Sequence, residues 1–234
     1  MIKLYGFGKN LGLIDASPFV VKVHAFLKIA KIEYETINNP RNIGKSPKGK
    51  LPYITDGETT ICDSQLIIKY LTEKHTIELD KDLSTEQKAC AYLIGKSLDE
   101  NLYWCLVWSR WQHESSWKVV KKAFFKGLPF PISAIVPKML RKKTIKSLYA
   151  QGTGRHSEQE IIDIANHTFH ALSDLLGEKD YFYGDKPSSF DATAYAFLAS
   201  FTQAKIDNKI NSKAKNYQNL VAYSDRITNK YFSL

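Results

Sequence analysis

Cysteine is scarce and unpatterned. Cys62, Cys90 and Cys105 are the only three in 234 residues, odd in number and without Cys-x-x-Cys or zinc-ligand spacing, which excludes a disulfide scaffold and a structural metal site. No apolar run approaches the ~18–20 residues of a membrane-spanning helix. Met1-Ile2-Lys3-Leu4 runs straight into a strand-like stretch, so a soluble, cytoplasmic protein is the expectation. Helix-turn-helix, zinc-finger and RNA-binding signatures are also missing, and nucleic acid is not an expected partner. Acid is absent from one long stretch: ten Lys or Arg and no Asp or Glu lie between Ser115 and His156. The whole chain carries +9, so the basicity is local. Lys118, Lys121, Lys122 and Lys126 fall at helical spacings beside Phe124 and Phe125. They form either a solvated basic face or a surface, within 115–156, for peripheral contact with an anionic membrane or a protein partner.

What is present suffices for real cores, with 44% apolar and 24% charged residues. Residues 2–7 alternate with period two and enter a Gly-rich loop, the pattern of a strand followed by a turn. Ser17-Pro18 starts a helix whose apolar face holds Phe19, Val20, Val23, Phe26 and Leu27. A second strand fits Tyr34–Ile37. After a polar loop, Leu51-Pro52-Tyr53-Ile54 opens a hairpin that turns at Asp56-Gly57 and returns through Thr59–Cys62. Asp63-Ser64 caps a helix reaching Lys74-His75. This β-α-β, long connection, β-β-α order is that of a thioredoxin-like domain over residues 1–76.

From 84 to 234 every segment reads as helical. Ser84-x-x-Gln87 is a capping box for a long helix to about Trp111. Gly127 and prolines 129, 131 and 137 predict short or broken helices after it. Ser157-x-x-Glu160 and Ser188-x-x-Asp191 open two more helices, and a last one spans Asn216–Tyr231. The fold class is therefore a thioredoxin-like α/β domain followed by an all-helical one.

Three features in this order resemble the glutathione S-transferase superfamily over nearly the whole chain. They are Gly49-Lys50-Leu51-Pro52-Tyr53-Ile54, Asp63-Ser64 at a helix start, and Ser188-x-x-Asp191. Ser17-Pro18-Phe19, Pro47–Pro52, Gln151–His156 and Gly184–Ser188 look like the failed-axon-connections and metaxin-like branch. The resemblance implies glutathione as co-substrate, no metal, a homodimer, and a cis bond before Pro52. With that bond cis, the Leu51 N–H and C=O would pair with the cysteinyl part of glutathione. Asp63 would take the γ-glutamyl ammonium, Ser64 at its helix N-terminus would take the γ-glutamyl carboxylate, and Lys50 would approach from the other side. As residues alone, Asp63 and Ser64 are equally readable as caps and Pro52 as an edge residue.

Conjugation needs the glutathione sulfur as thiolate, although a free thiol has a pKa of about 8.5. Ser17, where related transferases place a serine or cysteine, is the first candidate to activate it; a plain N-cap role is the alternative. Tyr5 is the reserve, although Gly6 is the better match for the strand position at which some classes place tyrosine. A small hydrophobic electrophile would be held by Tyr103, Trp104 and Trp108, with Trp111 on the same helical face, unless that stripe is core or dimer packing. Arg155-His156 reads as a structured turn in which arginine binds helix-end carbonyls. Three functions follow: a glutathione S-transferase, a non-catalytic module that uses the basic segment, or a glutathione-dependent reductase or isomerase.

Overall fold

The computed structural model describes residues 1–232. Four strands, β1 (Ile2–Gly6), β2 (Tyr34–Asn38), β3 (Tyr53–Asp56) and β4 (Thr59–Cys62), form one sheet in the order β2-β1-β3-β4. β2 lies parallel to β1, while β3 runs antiparallel to β1 and pairs with β4 as a hairpin. A parallel β1–β2 pair requires a crossover, and helix α1 (Pro18–Ile29) supplies it. Ile2 and Leu4 of β1 enter the main core with Val23, Phe26 and Leu27 of α1, while Lys3 and Tyr5 point to the other face, as strand alternation requires. Helix α2 (Ser64–Lys74) closes this thioredoxin-like half.

The helical half holds α3 (Thr85–Ser97), α4 (Tyr103–Trp111), α5 (Glu114–Phe125), α6 (Ile132–Gln151), α7 (Glu158–Leu176), α8 (Ser189–Thr202), α9 (Lys209–Lys215) and α10 (Gln218–Tyr231). The single helix expected from Ser84 to Trp111 is interrupted by a π-helical turn at Leu98–Leu102. Pro137, expected to break its region, instead sits inside the 20-residue α6. α9 was not foreseen, being short and polar.

All three capping boxes are formed. The one at Ser188 is buried: Ser188 N–H and Oγ–H each donate to Asp191 Oδ2 at 2.8 Å, and Phe182 N–H and Tyr223 O–H donate to Oδ1. α8 is apolar all round because it is the central rod, with α1 on one side and α10 on another. The two halves are joined by chemistry as well as by apolar contact. Asp80, between α2 and α3, accepts Ser189 N–H at 2.7 Å. Lys22 of α1 meets Asp99 of the π turn at 2.9 Å with both side chains buried.

Candidate functional site at one end of the sheet

The strand register brings three chain ends together. β1 finishes at Gly6, β3 begins at Tyr53 opposite Tyr5, and β4 finishes at Cys62 opposite Tyr53. Continuing the β3–β4 register by two residues sets Pro52 across from Asp63 and Leu51 across from Ser64. α1 and α2 both start at this end, so two helix N-termini with their free N–H groups and partial positive charge border the same surface.

Leu51 precedes a cis peptide bond to Pro52, and its side chain packs with Val20 on the first turn of α1. Its N–H and C=O take no hydrogen bond from the chain among the described residues. Asp63 has φ +84°, a conformation that side-chain-bearing residues rarely adopt. Such outliers cost on the order of 1–3 kcal/mol and collect at ligand clamps. Its Oδ1 accepts both cap bonds, from Gln65 N–H at 2.9 Å and Leu66 N–H at 3.3 Å. Capping therefore leaves Oδ2 without a partner among the described residues. Ser64 is 5% exposed. Its Oγ has no partner among the described residues yet reaches the surface. Lys50 is exposed.

Ser17 is the N-cap of α1 by position, with φ −93° and ψ 123°, but its side chain makes no cap bond. The residue that organises the α1 entry is Asp15. Its Oδ1 accepts Ser17 N–H, and its Oδ2 accepts the N–H groups of Phe7 and Gly8, all at 2.8 Å. Gly6 makes this possible, because a Cβ there would lie 2.7 Å from Asp15 Oδ2 and 2.8 Å from Val20 Cγ1. Burial pushes the Asp15 carboxyl up to about 7, against the pull of those N–H groups and of Arg110. Arg110, 6% exposed on α4, donates through Nη1 to Ala16 C=O at 2.7 Å and through Nη2 to Ser200 C=O at 3.5 Å. Asp15 and Arg110 thus set Ser17 from both sides, and sequence reasoning missed both. An Asp two residues before a helix-starting Ser is a visible Asx-turn signal. Arg110 has no such signal, since its partners lie 94 and 90 residues away.

Tyr5 does not join Ser17. Its ring stacks on Tyr53 at 4.1 Å, and its hydroxyl lies 3.5 Å from Thr55 Oγ1 on the alternate face of the sheet. The aromatic stripe of α4 divides. Trp108 is buried at 7% exposure with its ring edge on His113. Trp111 packs on Trp117 of α5. Tyr103 and Trp104 are half-buried, and Tyr103 touches Phe19 of α1 at 4.8 Å, two residues from Ser17. Phe7 meets Phe124 of α5 edge-on at 5.9 Å, adding an apolar wall beside the Asp15 loop. Arg155 donates through Nε to Tyr149 C=O at 2.9 Å and stacks on its ring, the expected structural role at a helix end. A concavity of about 430 Å³ lined by Met1, Glu33, Asp56 and His75 is at the opposite end of the sheet.

This sheet end thus brings together two helix N-termini, a free main-chain edge and hydroxyls without a partner among the described residues, beside the helical domain. Comparison with known proteins shows the family. A family model described as the glutathione S-transferase N-terminal domain matches residues 18–117, and one described as the C-terminal domain matches residues 165–227. The chain is 33% identical to an isoprene-epoxide–glutathione S-transferase of Rhodococcus sp. (strain AD45), with 99% of each chain covered. It is 28% identical to Failed axon connections of Drosophila melanogaster over 99% of this chain and 58% of that one. With metaxin-1 of Homo sapiens it shares 29% identity over 96% and 49%. Against the latter two, the chain spans about half the length of its relatives. Among solved structures, the β-etherase LigF from Sphingobium sp. strain SYK-6 has the same fold, with a TM-score of 0.63 at 17% identity over 98% of this chain and 95% of that one. The chain belongs to the glutathione S-transferase superfamily, with homologues that include Failed axon connections and the metaxins.

Proposed function

We propose that this protein binds glutathione at the Ser17–Leu51–Ser64 end of the sheet and conjugates its sulfur to a small hydrophobic electrophile. One observation carries the reading: three groups suited to an extended tripeptide with a thiol, the Ser17 hydroxyl, the Leu51 main chain and the Ser64 hydroxyl, all lack partners among the described residues at one sheet end. In this reading Leu51 pairs with the cysteinyl backbone. Ser64 and the α2 N-terminus receive the γ-glutamyl carboxylate, Asp63 Oδ2 receives the ammonium, and Lys50 meets the glycyl end. Ser17 Oγ donates to the sulfur, and the positive end of α1 lowers the thiol pKa further. Tyr103 and Trp104, with Phe7 and Phe124, line the electrophile side. Trp108 supports them from the core.

Retention on immobilised glutathione, lost on Asp63→Ala, tests binding. Ser17→Ala tests activation: turnover should fall about a hundredfold with glutathione affinity retained, as when one positioned donor is removed from a charged centre. No retention by the parent protein, with no conjugation across epoxide and aryl-halide substrates, would sink the proposal. For the homodimer, the supporting surface is Leu66 of α2 with Tyr92 and Leu93 of α3, which are 47%, 58% and 66% exposed. Light scattering of Tyr92→Glu/Leu93→Glu against the parent checks it.

A further inference from the structure

The acid-free segment folds into an arm, α5 and α6 joined by a proline-rich tip, whose two surfaces differ. α5 turns its apolar side inward. Trp117 and Val120 pack on Leu11, Ala16 and Ile206, so that side is occupied. Arg141 ties α6 back: its guanidinium donates to Trp111 C=O, Gln112 C=O and the Glu114 carboxylate, and covers the Trp117 ring. The Glu114 carboxylate at the base of the arm is thereby engaged. The eight lysines of residues 118–146 are all exposed, and none makes a direct ion pair among the described residues.

α6 turns its apolar side outward. Phe130 at the tip is 86% exposed, and Ile132, Ile135 and Met139 are 45%, 59% and 57% exposed. At about 100° per residue, Ile132, Ile135 and Met139 form one stripe, and Lys142, Lys143 and Lys146 continue that same stripe toward the C-terminus. A single face is thus apolar for its first two turns and cationic for the next two.

We infer that this face of α6, with the Phe130 tip, is a docking surface for an anionic lipid bilayer. The Phe130–Met139 end enters the acyl boundary, while Lys142, Lys143 and Lys146 lie on the headgroups. The charge pattern favours lipid over the other anions. Nucleic acid offers aliphatic Ile and Met side chains nothing to pair with, and specific phosphate recognition selects the bidentate fork of Arg, whereas the free cations here are all Lys, point charges suited to a diffuse negative surface. Shallow insertion of a few bulky apolar groups beside a basic cluster is how interfacial helices bind. Rigid anchoring of α5 and α6 by Trp117 and Arg141 means that the face is presented already folded.

The test is flotation of the full chain with phosphatidylcholine vesicles that contain either no anionic lipid or about a third phosphatidylserine, at about 0.1 M and about 1 M salt. The parent should float only with the anionic vesicles, and only at low salt. Phe130→Ser/Ile135→Ser/Met139→Ser and Lys142→Glu/Lys143→Glu/Lys146→Glu should each weaken flotation at least about tenfold. Their melting temperatures should stay near that of the parent, because the altered side chains are exposed. Equal flotation with neutral vesicles, no flotation with either, or a serine variant that floats as the parent does would overturn the inference. So would a serine variant that converts a dimer to a monomer, which would assign the face to a second copy. Binding to a polyanion such as heparin that the serine substitutions leave unchanged, together with loss of vesicle binding, would overturn it in favour of a purely electrostatic partner.

Discussion

Along the seam between the sheet half and the helical half, Lys22 and Asp99 are buried against each other, and Asp15 is buried on N–H groups between the end of β1 and the start of α1. Across the α5–α6 arm, eight lysines are exposed without an ion pair among the described residues, and four bulky apolar side chains accompany them. Buried charge that is paired makes the structure sensitive to every member of the pair, because removal of one leaves the other unsolvated. Exposed charge and exposed apolar surface contribute little to folding and are therefore free to serve association. The contrast locates stability in the seam and association in the arm, and both assignments can be broken by substitution.

The largest effect is expected at Lys22–Asp99. Burial pulls the Lys22 ammonium below its ordinary range, and Asp99 opposes that. Lys22 also reaches Gln65 Oε1 at 3.3 Å, so the pair links α1, the π turn and the residue next to Ser64. Asp99→Asn should cost about 3–5 kcal/mol by stranding a buried cation, read as the urea midpoint. Lys22→Met/Asp99→Leu should recover most of that loss, since two apolar groups leave nothing uncompensated. If Asp99→Asn is neutral, the Lys22–Asp99 pair does not hold the seam.

A smaller effect, and one with a pH signature, is expected at Asp15. Its folded carboxyl titrates at about 7 against a reference of 3.8. Between those values the native state holds the proton that the unfolded chain has released, so stability falls as pH rises and the loss is complete above about 7. Asn at this position has no titration and cannot accept all three N–H bonds. Asp15→Asn should therefore melt below the parent at pH 5, and the gap should narrow by pH 8, by an amount on the order of a few kcal/mol. Thermal melts across that range check the sign. A gap that widens with pH would mean that the N–H groups outweigh burial and hold the carboxylate ionised.

The same contrast explains what was legible before any coordinates. The order of the two halves was readable because many elements carry a local signal: period two at 2–7, Ser17-Pro18 and the Asp56-Gly57 turn in the first, and the boxes at Ser84, Ser157 and Ser188 in the second. Leu51-Pro52 and Asp63-Ser64 were tied together only by the resemblance to the superfamily, and the hairpin register sets them across from each other. Arg110 was not readable, since a guanidinium aimed at Ala16 and Ser200 carbonyls is a property of the assembled seam. The π turn was also hidden, because nothing in Leu98–Leu102 marks an extra residue; the turn carries Asp99, whose partner Lys22 lies far away in the sequence. Pro137 misled in the opposite direction. It lies one and a half turns into α6, where one lost hydrogen bond is tolerated while Pro137 itself is buried.

The smallest effect on folding belongs to the α6 face, and it completes the contrast. Phe130 is 86% exposed and Met139 57% exposed, so Phe130→Ser removes little buried area and Met139→Ser only part of one side chain. Each should change stability by no more than about 0.5 kcal/mol, the range of surface substitutions that touch no cap or core. Arg141→Ala on the same helix should cost more than either, because it releases two carbonyls of the α4 end, the Glu114 carboxylate and the cover over Trp117. Chemical denaturation of the three variants orders them. If Phe130→Ser proved as costly as Arg141→Ala, the tip would be part of the fold rather than a surface held ready for a partner, and the division between seam and arm would fail.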